Sequence, residues 1–239
     1  MKRNENAKHL KITSEIYQVG GGNLTHGQDA SIYLLAFEGG AALVDAGCGY
    51  AGDQLLRNIV SCGVKPAAIE WLLLTHCHFD HTGGVRQLKD TVGCKVVAHA
   101  LETPFLEAGD NRVTAASWYG ATIQSFTVDR KLSTGRESVV IGTHTIMALH
   151  TPGHSPGSIV YLTESDGLRV LFGQDVHGPI HPSLLSNRAD YLHSLELMMS
   201  LDADILCEGH YGIIKGKNKV REFIESFMEA PNLYEDAGS

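Results

Sequence analysis

The chain has few cysteines, no long apolar run and no block of positive charge. Its apolar runs are only a handful of residues long, far short of the ~20 that a helix needs to cross a bilayer. The five cysteines form no Cys-x-x-Cys pair, which argues against a disulfide framework and for reduced thiols. The segment Met1–Asn6 is polar and has no apolar stretch behind it that would act as a signal peptide. We therefore expect a cytoplasmic protein that does not bind a membrane.

The charge balance is acidic, with a formal net charge of −8 and scattered lysines and arginines. Because nucleic-acid binding depends largely on neutralising phosphates, this balance argues against a nucleic acid polymer as a partner. A small-molecule substrate is expected instead, and a homodimer is compatible with the sequence. Hydrophobic residues at 43% and charged residues at 19% are typical of a soluble globular protein.

The pattern of apolar residues predicts an α/β protein in which both halves run from strands to a helix and then to a short apolar strand. In the first half we predict strands at 11–19, 30–37, 41–45, 71–75 and 95–98, with helices at 51–62 and 84–89. In the second half we predict strands at 138–141, 145–150, 158–163, 169–172 and 204–207, with helices at 183–200 and 217–228. This repetition predicts two packed sheets with helices outside, ligands collected at one edge of both sheets, and a single domain over 1–239.

The core of that domain is expected over about 12–225, followed by a frayed tail after about Pro231. The segment 100–131 follows neither the helical nor the strand period. It is either an insertion that partly covers the site and forms a substrate pocket, or a peripheral helical pair that fills a minor core.

Three histidines and an aspartate lie within six positions, directly after the apolar run Trp71–Leu74. In an extended strand end, His76 and His78 project to the same face because side-chain direction repeats every two residues. Asp80 and His81 follow as the chain turns and can serve a second ion. Imidazole and carboxylate together suit zinc or a similar first-row metal.

Further ligands come from three separate places. His154 lies in a Thr-Pro-Gly-His turn that fixes the backbone, Asp175 follows an apolar strand, and His210 ends the last strand in Glu-Gly-His. We expect two divalent ions, zinc in the first place, with iron or manganese as alternatives. The predicted division is His76, His78 and His154 on one ion, Asp80, His81 and His210 on the other, and Asp175 between them.

One more histidine is a candidate for catalysis. His177 lies two residues beyond Asp175, where it could stabilise an oxyanion or protonate a leaving group. A loop histidine without a catalytic role fits the sequence equally well.

The order His-x-His-x-Asp-His, Thr-Pro-Gly-His, an aspartate after a strand and a late Gly-His resembles the metallo-β-lactamase superfamily. The segment Leu43-Val44-Asp45-Ala46-Gly47 also matches that family's pattern, and the resemblance covers roughly residues 12–225. It implies a four-layer αββα sandwich of two mixed β-sheets, the metallo-β-lactamase fold, with a dinuclear site at the edge of the sheets. In that family Asp45 would position the site and would not be catalytic.

The residues and the resemblance together predict a dinuclear hydrolase in which Asp80 orients a hydroxide shared by two cations. The expected substrate is an ester-like bond, a thioester or a lactone, in a small metabolite. The resemblance points to hydroxyacylglutathione hydrolase-like and lactonase-like relatives. Glutathione thioesterases of this kind carry a helical C-terminal domain, and the short stretch after His210 weakens that assignment.

Three alternatives remain open at this point. The same fold supports a mononuclear iron dioxygenase that acts on persulfides, and a phosphodiesterase that acts on small molecules. A metal-binding protein without catalytic activity is the third. Metal analysis with a test for oxygen consumption separates the dioxygenase from the hydrolase.

Overall fold

Two β-sheets form the interior of the computed structural model, which describes residues 8–173 and 175–228. The strands of the first sheet follow chain order: β1 (Leu10–Lys11), β2 (Ile16–Gly20), β3 (Ile32–Phe37), β4 (Gly40–Val44), β5 (Ile69–Leu73), β6 (Lys95–His99) and β7 (Arg130–Leu132). The second sheet contains β8 (Arg136–Ile141), β9 (His144–His150), β10 (Ile159–Ser165), β11 (Leu168–Phe172), β12 (Ile205–Glu208) and β13 (Gly212–Lys215). The predicted tail after about Pro231 lies outside the described residues.

Helices lie between these strands along the chain. The α-helices are α1 (Gly52–Ser61), α2 (Phe79–Thr82), α3 (Val85–Val92), α4 (Thr103–Ala108), α5 (Arg188–Ser200) and α6 (Lys217–Met228). Short 3₁₀ helices occupy Pro66–Ala68, Ala116–Tyr119 and Pro182–Leu184. Within residues 8–173 and 175–228, no helix has both the length and the apolar character that a bilayer crossing requires.

Both sheets are mixed. In the first sheet, β1 to β4 pair antiparallel, whereas β4, β5, β6 and β7 pair parallel. In the second sheet, β11 and β12 pair parallel and the other neighbours pair antiparallel. A parallel pair needs a crossover, and the four crossovers contain α1, α3, α4 and α5. As a result, the loops that follow β5, β11 and β12 can meet at a common site.

Apolar side chains fill three layers around the sheets. Between the sheets, Leu35 and Leu73 of the first pack against Ile146 and Phe172 of the second. The outer face of the first sheet is covered by α1, α3 and α4, and that of the second by α5 and α6. The predicted four-layer αββα sandwich is therefore confirmed.

Several element boundaries differ from the prediction. The helix predicted from 183 begins at Arg188, because Asn187 caps it by accepting a hydrogen bond from the backbone N–H of Asp190, while 182–184 form a 3₁₀ turn. The strand predicted at 71–75 ends at Leu73, so His76 and His78 lie in the loop beyond it, whereas Asp80 and His81 lie in α2, a helix that was not predicted. The strands β7 and β13 and the helix α4 were not predicted.

The segment 100–131 contributes to the core and also reaches the histidine loop. Ile123 and Phe126 are buried against the outer face of the first sheet. The ring of Tyr119 packs on Phe79 with a centroid distance of 5.5 Å, while Trp118 is half exposed. A role of this segment in covering a substrate pocket stays a prediction.

Candidate metal centre

All seven predicted metal ligands come together where the loops after β5, β9, β11 and β12 meet. Their donor atoms form two groups that share Asp175, and within each group these atoms lie within 4.8 Å of one another. The first group contains His76, His78, His154 and Asp175, and the second contains Asp80, His81, His210 and Asp175. This grouping is the one expected from the sequence, and the role of these residues as metal ligands stays a prediction.

The first group consists of three buried imidazoles around one carboxylate. The ring centroids of His76 and His78 are 4.5 Å apart, and those of His78 and His154 are also 4.5 Å apart. The Oδ2 atom of Asp175 lies 3.5 Å from His154 Nε2 and 3.9 Å from His76 Nε2. Three imidazoles with a further oxygen correspond to the donor number of a tetrahedral zinc site.

The second group is more open to solvent on one side. His81 Nε2 lies 3.1 Å from Asp175 Oδ1 and 3.6 Å from Asp80 Oδ2. His210 Nε2 lies 3.0 Å from Asp80 Oδ2 and 3.4 Å from Asp175 Oδ2. The His210 side chain is 34% exposed, whereas His81 and both carboxylates are buried. The centre is therefore accessible from solvent past His210.

Several polar atoms of the centre are buried without a hydrogen-bond partner. They are the Nε2 atoms of His76, His78, His81 and His154 and the Oδ1 atom of Asp175. The contact between His81 and Asp175 is short but lacks hydrogen-bond geometry. A buried polar atom without a partner costs about 1–3 kcal/mol, so five such atoms in one place call for a ligand. The donor set of imidazoles and carboxylates fits two divalent cations.

Asp45 orients two of these imidazoles. His81 Nδ1 donates a hydrogen bond of 2.7 Å to Asp45 Oδ2, so its Nε2 lone pair faces the centre. The same oxygen accepts a hydrogen bond of 2.8 Å from the Thr75 hydroxyl, whose Oγ1 can in turn accept from His76 Nδ1 at 3.0 Å. Asp45 thus acts on the ligands without belonging to either group, as the resemblance implied.

The turn that carries His154 is fixed on several sides. His154 Nδ1 donates to the carbonyl oxygen of Pro179 at 2.8 Å, and the Ser186 hydroxyl donates to the carbonyl oxygen of His154 at 2.6 Å. Gly153 has φ +130°, and a Cβ there would lie 2.2 Å from the backbone nitrogen of Tyr191. Only glycine fits this close approach to α5, which explains the Pro-Gly-His sequence.

Burial and mutual charge shift the pKa values of the centre. Burial, reinforced by neighbouring imidazoles, holds the pKa values of His76 and His78 well below their ordinary range. Burial alone would raise the pKa of Asp175, but His81 and His210 outweigh it and hold that pKa well below its ordinary range. Burial would lower the pKa of His210, but Asp175 outweighs it and raises the pKa to about 10. His76 and His78 are thus neutral imidazoles, the form that binds metals, whereas at His210 a cation must compete with a proton.

His177, the candidate catalytic histidine, lies beside the second group. Its ring centroid is 5.1 Å from that of His210, and its side chain is 22% exposed. Its Nδ1 donates a hydrogen bond of 2.9 Å to Oε1 of Glu208. The Nε2 atom is therefore the ring nitrogen left for contact with a bound molecule.

The sequence reasoning missed two buried glutamates that hold the ligand loops, Glu102 and Glu208. Glu208 stands two residues before His210, which was a signal that could have been used. Glu102 lies in the segment without a period, and its proximity to the centre has no local sequence signal.

Comparison with known proteins identifies relatives. Residues 27–210 match the family model of the metallo-beta-lactamase superfamily. A hydroxyacylglutathione hydrolase from Anaeromyxobacter dehalogenans is 34% identical over 148 residues, which are 62% of this chain and 46% of that protein. A probable metallo-hydrolase from Methanocaldococcus jannaschii is 29% identical over 123 residues, 52% of this chain and 57% of that protein. The matches span about half of the length of these curated relatives.

Solved structures share the whole architecture. A subclass B3 metallo-beta-lactamase of Bradyrhizobium japonicum superposes with a TM-score of 0.75 at 24% identity, covering 92% of this chain and 90% of that one. The metallo-beta-lactamase GOB-18 from Elizabethkingia meningoseptica gives a TM-score of 0.72 at 25% identity, covering 88% of this chain and 80% of that one. At these identities the likeness concerns the fold.

Proposed function

Because the chain belongs to the metallo-β-lactamase superfamily, we propose that it is a metal-dependent hydrolase that cleaves an ester-like bond, a thioester or a lactone, in a small metabolite. The observation that carries this proposal is the pair of ligand groups that share the buried carboxylate of Asp175. The names of the relatives, a hydroxyacylglutathione hydrolase and a probable metallo-hydrolase, support hydrolysis as the reaction class. Zinc is the ion we propose for both positions, with manganese or iron as alternatives.

The centre contributes acidity and orientation. Two bound divalent cations would supply the Lewis acidity that lowers the pKa of water and polarises a carbonyl oxygen. Asp80 is buried, and its Oδ2 atom lies 3.0 Å from His210 Nε2, which places its carboxylate at the open side of the centre. We assign to Asp80 the orientation of the attacking water through a hydrogen bond. The buried histidines exclude bulk water from the remaining sides.

His177 is the residue we assign to the leaving group. Glu208 fixes its Nδ1, so the ring presents Nε2 beside His210, where a bound substrate would pass. An imidazole held in this way can donate a proton to the departing thiolate or alkoxide, or a hydrogen bond to a developing oxyanion.

Replacing His177 should lower turnover by about a hundredfold to a thousandfold while both ions stay bound. Two variants separate its roles: His177→Ala removes the ring, and His177→Asn keeps a donor near the position of Nδ1 for Glu208 but lacks Nε2. We expect both variants to lose the same activity, measured as kcat with metal content determined in parallel. Full activity in the asparagine variant would instead assign His177 to holding Glu208.

The proposed reaction is tested by elemental analysis of the purified protein together with a substrate screen. We expect two zinc ions per chain and hydrolysis of members of a thioester and lactone panel. One iron per chain with oxygen consumption on a persulfide would favour the dioxygenase, and turnover of phosphodiesters alone would favour a phosphodiesterase. The complete second group, with Asp80, His81 and His210, favours two ions over one.

A further inference from the structure

Glu102 joins the two loops that carry the first group of histidines. This side chain is 1% exposed. Its Oε2 accepts a hydrogen bond of 2.8 Å from the backbone N–H of Cys77, the residue between His76 and His78. Its Oε1 accepts hydrogen bonds of 2.6 Å from the backbone N–H of Gly157 and 3.0 Å from the hydroxyl of Ser155. One carboxylate therefore fixes the loop after β5 relative to the turn that carries His154.

The turn is shaped to admit this carboxylate. A Cβ at Gly157 would lie 2.7 Å from Cγ and 2.9 Å from Oε1 of Glu102, so only glycine permits the contact. The hydroxyls of Ser155 and Ser158 lie 2.8 Å apart, and the backbone N–H of Ser155 donates to Ser158 Oγ at 3.2 Å. The carboxylate thus ends a small buried network that sets the position of His154.

Glu208 has the corresponding role beside the second group, to which it does not belong. It is fully buried, and its Oε2 accepts hydrogen bonds of 2.6 Å and 2.7 Å from the backbone N–H groups of His210 and Tyr211. Its Oε1 accepts the hydrogen bond from His177, and its carbonyl oxygen accepts one of 2.7 Å from the hydroxyl of Tyr33. The loop of His210 is therefore held by a side chain that starts from β12 itself.

We propose that Glu102 and Glu208 are positioning residues, each of which sets the geometry of one metal position. Glu102 would set the position of His76, His78 and His154 through the Cys77 and Gly157 N–H groups, and Glu208 would set that of His210 in the second group. This inference rests on the two-ion centre of the proposed function. Both oxygens of each glutamate are engaged by N–H or O–H donors, so the glutamates act through the loops and leave the ions to the histidines and aspartates.

The conservative change to glutamine tests each residue with little change in volume. At Glu102, glutamine places an NH₂ group against a backbone N–H donor in either orientation of the amide, so at least one hydrogen bond is lost and two donors oppose each other. At Glu208, glutamine removes the negative charge that the N–H groups of His210 and Tyr211 and the His177 ring donate to, which weakens these hydrogen bonds. We expect the affinity for Zn²⁺ at the corresponding position to fall about 10–100-fold.

Each position can be measured alone in a background that lacks the other. The His210→Ala chain retains the first position, and the His78→Ala chain retains the second. Calorimetric titration of the metal-free proteins with Zn²⁺ gives the affinities, and visible absorption with Co²⁺ reports the coordination geometry. In the His210→Ala background, Glu102→Gln should weaken binding while Glu208→Gln changes it less than about twofold. In the His78→Ala background, Glu208→Gln should weaken binding, while Glu102→Gln should change it less than about twofold.

Two milder variants keep the proposal testable if a glutamine variant fails to fold. Ser155→Ala removes only one hydroxyl from Glu102 and should weaken the first position about threefold. Glu208→Asp keeps the carboxylate but withdraws it by one methylene, and should weaken the second position alone. Equal losses at both positions, or unchanged affinities with only a lower melting temperature of the metal-free protein, would overturn the proposal.

These measurements use no substrate, so their outcome is independent of the reaction. A chain that binds two ions but hydrolyses nothing would contradict the proposed function and leave the assignment of the glutamates intact. A wild-type chain that hydrolyses thioesters while both glutamine variants bind Zn²⁺ normally would contradict the assignment of the glutamates and leave the proposed function intact.

Discussion

Replacing His78 by alanine is expected to lower turnover at least about a thousandfold and to leave the chain with one bound ion in place of two. Residues that merely support a metal ligand already change affinity or activity by about 10–100-fold, and the loss of a ligand should exceed that range. The fold should survive, because Nε2 of His78 has no hydrogen-bond partner that the substitution would strand. Metal content by elemental analysis and kcat on the substrate found in the screen are the measurements.

His193→Ala is the matched control for this variant. His193 is an exposed histidine on α5 and belongs to neither ligand group. The His193→Ala variant should retain two ions and wild-type turnover. If the His78→Ala chain binds two ions and turns over normally, His78 is not a ligand and the first position is wrongly assigned.

Loading the metal-free protein with Zn²⁺ is expected to raise its melting temperature by about 10 °C. A ligand that binds only the folded state stabilises it by about 4 kcal/mol when present at a thousand times its dissociation constant. For a domain of this size, 1 kcal/mol corresponds to a shift of about 2–4 °C. The bound ions would also engage the buried Nε2 atoms that have no partner in the protein. Differential scanning calorimetry with and without a chelator measures the shift.

A double variant, His76→Ala with His210→Ala, provides the control for this shift because it removes one ligand from each group. Its melting temperature should respond to Zn²⁺ by only a few degrees. A shift of wild-type size in the double variant would place the stabilising ions elsewhere on the protein.

The ligand groups could be predicted because their signals are local. Histidines and aspartates follow strand ends directly, and Pro and Gly mark the turn of His154, where the approach to α5 excludes any Cβ. The division into two groups also follows from the sequence, since His76 and His78 are two residues apart in an extended segment, whereas Asp80 and His81 follow where the chain turns. The sandwich followed from the repeated order of strands and helices in both halves.

The rest of the centre depends on contacts that have no local pattern. Glu102 reaches Cys77 and Gly157 across long chain separations, so neither spacing nor composition indicates it. The strand β7 is only three residues long, which is too short to show an alternating pattern, so only its parallel pairing with β6 identifies it as a strand. The start of α5 is set by the side chain of Asn187, which competes with the helical pattern before it.

Each proposed ion position draws its side chains from both halves of the chain. The loop after β5 supplies His76 and His78 to one and Asp80 and His81 to the other, while His154, Asp175 and His210 come from the second half. A nascent chain that has emerged from the ribosome only as far as β8 would carry a histidine-rich loop but no complete position. Metal capture at the proposed positions would therefore wait until the later strands have been synthesised and docked, and two separately expressed halves would acquire ions there only on reassociation.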